Sequence, residues 1–152
     1  TFALFVERSA EAMSAFWAGA DEQLQLLAAG LKQDAETRMR LLEQVVELAI
    51  VYVRAQLTEN RERLLAEQAF RLEALLNPGL LELAAAHRKI LAQGVDKFFR
   101  VLGSPQPEED AQVLTGMILQ MEYQGLLDGV DNLDLEEMRS ILRRYLRLVM
   151  GL

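Results

Sequence analysis

His87 is the only histidine of the chain, and it sits in Leu81-Glu82-Leu83-Ala84-Ala85-Ala86-His87 with no glutamate three residues before it. The Glu-x-x-His pairs that build di-iron sites inside helical bundles are therefore missing. A mononuclear centre would need several carboxylates gathered with this imidazole, and no spacing in the chain supplies them. Cysteine is absent, which removes disulfides, thiolate metal sites and a cysteine nucleophile together. The serines are Ser9, Ser14, Ser104 and Ser140. Each has a plain reading as a cap, a turn residue or helix surface, and none has a base spaced to orient it. Phosphate-cradling glycine motifs are missing too. The expectation is a protein without metal, without cofactor and without catalysis.

Two further groups invite a chemical reading. Arg139, Arg143 and Arg147 recur every four residues, with Arg144 beside them. Acidic Asp134, Glu136 and Glu137 come first and the arginines later, an order that follows the helix dipole and reads as a solvated face rather than a nucleic-acid or membrane patch. The second group is bulky and semi-polar on otherwise apolar segments: Trp17, Tyr52, Phe70, His87, Met117, Gln120, Met121 and Tyr123. Each is acceptable as core. Together they describe an apolar cavity with a few polar tips, the makeup of a small-molecule site for an apolar or amphipathic ligand.

The elements that must position these residues all read as helix. Leu, Ala, Glu, Gln and Arg dominate, the prolines are only Pro78, Pro105 and Pro107, and alternating β-branched runs are scarce. About six helices are expected in an all-α fold. The first runs from about Ser9 to Leu31, with Met13, Phe16, Trp17, Ala20, Leu24 and Leu27 at three- and four-residue steps. Asp34 caps the second, about Ala35 to Leu57, which is apolar almost all round from Val45 to Val53 and so belongs at the centre. A third follows Asn60, from about Arg61 to Leu76. The fourth starts at Asn77-Pro78, a cap followed by proline at the first helical position, and stops at Gly103-Ser104-Pro105. The fifth begins after Pro107 with Glu108 and Glu109 and reaches about Leu127; Asp128 to Asn132 is a turn. The sixth begins at Asp134, three residues before Glu137, and ends near Gly151.

With 152 residues, 51% hydrophobic and 26% charged, and with every connection short, residues 1–152 read as one domain. The longest apolar run, Leu48 to Val53, is far short of a membrane span, which needs about 18 residues. The N-terminus lacks a basic, signal-like start and also lacks Met, as a fragment or processed chain would. A reducing, cytoplasmic setting is expected. The net charge of −7 opposes binding to DNA by this piece alone.

The last two helices carry more apolar surface than one core uses. Leu114, Ile118, Met121 and Gly125 repeat at helical steps on the fifth, as do Met138, Leu142, Tyr145 and Val149 on the sixth. These stripes are expected to pack as a four-helix bundle across the two-fold axis of a homodimer, with Gly125 admitting close approach.

Phe99-Arg100-Val101-Leu102-Gly103-Ser104-Pro105-Gln106-Pro107-Glu108-Glu109-Asp110-Ala111, then Gln124-Gly125-Leu126-Leu127 and Asp134-Leu135-Glu136-Glu137, resemble the last three helices of TetR-family regulators. Thr1-Phe2-Ala3-Leu4-Phe5 and Ser9-Ala10-Glu11-Ala12-Met13 resemble the family's junction after its recognition helix, with Ala10 where a lysine is usual. The resemblance spans nearly the whole chain. It implies the C-terminal effector-binding and dimerisation domain of a repressor-type transcription regulator. Residues 1–8 would be the remnant of the junction, and DNA would be read only by a helix-turn-helix before Thr1. The rival reading is a packed helical protein-interaction module without a ligand; a helical-bundle enzyme is a remote third.

Overall fold

The computed structural model describes residues 34–152 continuously and, before them, positions 3, 4, 6–8, 11, 15, 18, 19 and 22. The expected first helix falls largely outside the described residues, and Trp17 falls outside them. From residue 34 onward the chain folds as five α-helices with two 3-10 turns: α1 (Ala35–Thr58), α2 (Arg61–Leu76), α3 (Leu81–Val101), α4 (Pro107–Asp128) and α5 (Leu135–Met150). The turns are Pro78–Leu80, before α3, and Val130–Asn132, between α4 and α5. The fold is all-α, with no strand among the described residues.

Local chemistry sets most of the boundaries. Asp34 Oδ1 accepts the Thr37 N–H at 2.7 Å and starts α1. Asn77 caps through its side chain, accepting the Gly79 N–H at 3.0 Å, but the turn it starts is the 3-10 turn at Pro78, and the α-helix begins only at Leu81. Asn60 precedes α2 without making a side-chain cap. Gly103, at φ +80°, ends α3 in a conformation that costs a residue with a Cβ. Ser104 Oγ then donates to Asp110 Oδ2 at 2.6 Å and accepts the Gln106 N–H at 3.0 Å, which ties the turn to the start of α4. Asp134 Oδ1 accepts the Glu137 N–H at 3.0 Å and starts α5.

Apolar nearly all round, α1 buries Leu42, Val45, Val46, Ala49, Ile50 and Val53 and packs against α2, α4 and α5. That decides the fate of the two apolar stripes. Both turn inward to the core that α1 centres, because burying them removes apolar area from water. Leu142 is 0% exposed in its own chain, and Leu114, Ile118, Gly125 and Met138 are buried as well. Their assignment to an interface between copies is therefore corrected: these five belong to the core. Tyr145 and Val149 sit half-buried at its edge. The inward stripe of α5 is Met138, Leu142, Leu146 and Met150, at steps of four.

The arginine stripe of α5 lies along α1. Arg143 grips Glu43 with both ends of its guanidinium, Nε to Oε1 at 2.6 Å and Nη2 to Oε2 at 3.1 Å. Arg139 Nε donates to Glu47 Oε1 at 2.7 Å while Nη1 donates to Glu136 at 2.6 Å. Arg139 and Arg143 are thus answered within the chain, by carboxylates one turn apart on α1.

Candidate functional site

Four helices meet around a polar cluster inside the apolar bundle. The inner face of α2 runs Leu64, Glu67, Phe70, Ala74, so a glutamate falls in phase with the apolar positions. On α4 the buried run Ile118, Glu122, Gly125 does the same. Glu67 is 7% exposed and Glu122 is 2% exposed. From α1 come Tyr52 and Gln56, both buried, and from α3 comes His87, also buried. Arg63 Nη2 donates to Gln56 Oε1 at 2.8 Å. The Phe70 ring meets His87 edge-on, 5.6 Å between centroids at 83°.

Burial of charge sets the protonation of the cluster. Loss of water pushes Glu122 up to about 8, with the negative charge of Glu67 adding to the rise and Arg63 and Arg71 opposing it. Glu67 is raised for the same first reason, burial, against the pull of Arg71 and Arg63. Burial and then the nearby charge of Arg71 lower His87, so its imidazole is neutral at pH 7. Tyr52 is raised by burial and by both glutamates. Near neutrality one proton therefore sits on Glu122. Among the described residues, Glu67 Oε1 has no hydrogen-bond partner, nor has Gln68 Nε2. No group of three or more metal-ligating side chains is assembled among the described residues.

Of the residues expected to line a ligand site, Tyr52, Phe70 and His87 converge here. Met121 is buried in the apolar core and Met117 packs against it half-buried. Gln120 and Tyr123 are exposed on α4, so their placement in a common cavity with the others is corrected. The helix is apolar on two sides, and the side facing α1 took the interior. Sequence reading missed Glu67 and Glu122. The signal was present, since each interrupts an apolar three- and four-residue phase, but a glutamate is so rarely buried that such a break is ordinarily taken for helix surface.

A cleft of about 660 Å³ lies elsewhere, between α3 and α4, where small side chains leave space unfilled: Ala85, Ala92, Ala111 and Gly116. Arg88 and Lys89 stand on its wall, and two of its lining residues carry buried oxygens with no partner among the described residues, Asp96 Oδ1 and Thr115 Oγ1. None of the eight expected ligand residues lines it.

Residues 33–149 match the family described as tetracyclin repressor-like, C-terminal domain. The chain belongs to that family. No curated protein matches it. In this TetR-like domain the matched region takes in all five described helices, so the buried cluster and the outer faces of α4 and α5 both lie within the family's own architecture. Such domains are the regulatory parts of transcription regulators. No helix is long and apolar enough to cross a membrane, among the described residues.

Proposed function

We propose that the domain binds a small amphipathic effector among α1, α2, α3 and α4 and dimerises through α4 and α5. Effector binding would thereby control DNA reading by a helix-turn-helix carried outside residues 1–152. The observation that carries this reading is the buried cluster of Tyr52, Glu67, His87 and Glu122. A bundle core has no need of charge at such positions, because replacing buried charge by well-packed apolar side chains is commonly neutral or stabilising. Four polar groups from four helices in one interior place fit a binding site better than a core.

The dimer face in this reading is the outer side of the last two helices. Val113, Tyr123 and Leu127 on α4 and Ile141 and Leu148 on α5 are large apolar side chains left exposed, and Leu148 is 70% exposed. Val113, Met117, Gln120, Gln124 and Leu127 fall at steps of four, three, four and three, one stripe opposite the buried one. A two-fold axis between two such pairs covers both stripes. An effector with different affinity for two dimer arrangements then shifts their populations, and with them the spacing of the DNA-reading heads.

The test has two arms. Sedimentation of the chain at tens of micromolar reads the dimer, and a monomer there defeats that half. A thermal-shift screen of amphipathic compounds reads the effector, since a ligand that binds the native state raises apparent stability by mass action. No shift across a broad library defeats the other half and favours a packed interaction module.

A further inference from the structure

We infer that Glu67 and Glu122 form the receptor for a positively charged head group, so that the effector is an organic cation of the amine or amidine type. This rests on the effector-binding reading above and names the ligand class. Glu67 is more than nine-tenths buried, and its Oε1 has no hydrogen-bond partner among the described residues. An unanswered carboxylate oxygen in a closed interior is a costly arrangement, and a donor carrying positive charge is the partner that repays it best. The arginines nearby do not fill that role. Arg63 is engaged with Gln56, Arg71 is exposed, and neither carboxylate has an ion-pair partner among the described residues.

The surroundings select among ligands. An anionic head would add negative charge beside two buried carboxyls. A hard metal ion takes six or more oxygen ligands, or a compact set of three or more carboxylate and imidazole groups, and no such set is assembled among the described residues. An ammonium or amidinium offers several N–H donors to two carboxyls, and the aromatic rings of Tyr52 and Phe70 accept positive charge at their faces. In the unliganded protein, the proton on Glu122 occupies the place of that charge. Binding is then an exchange: the cation enters, Glu122 loses its proton to solvent, and the pair is left as two carboxylates around one cation.

Among the described residues, the groups that bear on the pair are Tyr52 from α1 and Arg63 and Arg71 from α2, with His87 of α3 beside Arg71. His87 is neutral above its ordinary range, so Glu122 governs the pH dependence near neutrality. Affinity for a cation should rise about tenfold per pH unit up to about 8 and level above it.

The experiment is titration calorimetry and thermal shift on the full chain with a set of aryl and alkyl amines and amidines of graded size. Each is paired with the alcohol and the carboxylate of the same skeleton. The expected result is binding by amines over their alcohols and carboxylates, release of about one proton per cation at pH 7 read from buffers of different ionisation enthalpy, and loss of at least about tenfold in affinity in Glu67→Gln and Glu122→Gln. Circular dichroism of both variants checks that they fold, and the proton release in the unaltered chain tests the exchange even where they do not. Equal binding of alcohol and amine, no proton release, folded variants that bind as before, or no amine or amidine bound at all would each overturn the inference. Neutral or acidic compounds binding where amines fail would leave the effector reading standing and remove only the cation.

Discussion

Gly125 of α4 lies directly beneath Leu57 of α1. A Cβ placed on Gly125 would stand 3.0 Å from Leu57 Cδ2 and 3.2 Å from Cγ, and closer still to Cδ1. Leu57 is buried, so its methyls have little room to swing aside. The close approach expected of Gly125 is real, but its partner is the last turn of α1 in the same chain.

Gly125→Ala therefore sets two effects against each other. Alanine favours a helix interior over glycine by about 1 kcal/mol, whereas overpacking a filled core costs about 1–3 kcal/mol. The clash wins because three atoms of one buried leucine must move together. The expected outcome is a net loss of about 1 kcal/mol, read as a lower urea midpoint with unchanged slope. A stabilised variant would mean that α1 and α4 separate easily here.

Leu142 and Leu148 lie on opposite sides of α5 and should fail differently. Leu142→Arg puts an unpaired charge into the core and should abolish cooperative unfolding. Leu148→Arg, on the exposed side, should keep the helical circular dichroism spectrum and the monomer fold while moving the sedimenting species from dimer to monomer. A Leu148→Arg chain that still sediments as a dimer would place the interface elsewhere.

Stability should fall as pH rises from 6.5 to about 8. Glu122, lifted from its ordinary 4.5 to about 8, holds a proton in the folded chain that the unfolded chain has already lost. Over that interval, each pH unit removes about 1.4 kcal/mol, and the loss is complete above the folded value. Glu67, also raised by burial, has the same sign above its ordinary 4.5. His87 contributes the opposite sign only below its ordinary 6.5, which is why the window starts there. Urea midpoints across this range check it. Glu122→Gln should flatten the slope, and an equally steep decline in that variant would assign it to another group.

The Arg143–Glu43 pair is two-point but wet, with side chains 37% and 42% exposed. A double-mutant cycle with Arg143→Gln and Glu43→Gln should give a coupling of about 0.5–1 kcal/mol, most of it lost in 1 M salt through screening. The Arg143 hydrogen bond holds Glu43 below the usual carboxylate range, so this contribution is present above that range and is lost as acid protonates the folded carboxylate. A coupling that ignores salt would mean that the pair is more enclosed than its exposure implies.

Sequence alone determined the helical class and most helix boundaries, because the groups that start and stop a helix act within three or four residues. Asp34 reaches the Thr37 amide, Asp134 reaches the Glu137 amide, and Gly103 takes the left-handed turn itself. It also placed α1 at the centre, since a helix apolar all round has no face to leave in water. Tertiary structure decided what lay across the bundle. Periodicity showed that α4 has two apolar sides without saying which one the core would take; folding buried Leu114, Ile118 and Gly125 and left Val113 and Leu127 outside. Nor does spacing within one helix say that the glutamate of α2 and the glutamate of α4 face a common interior. Glu67 and Glu122 stand 55 positions apart, and Glu122 keeps its proton near neutrality only because folding removed the water around it.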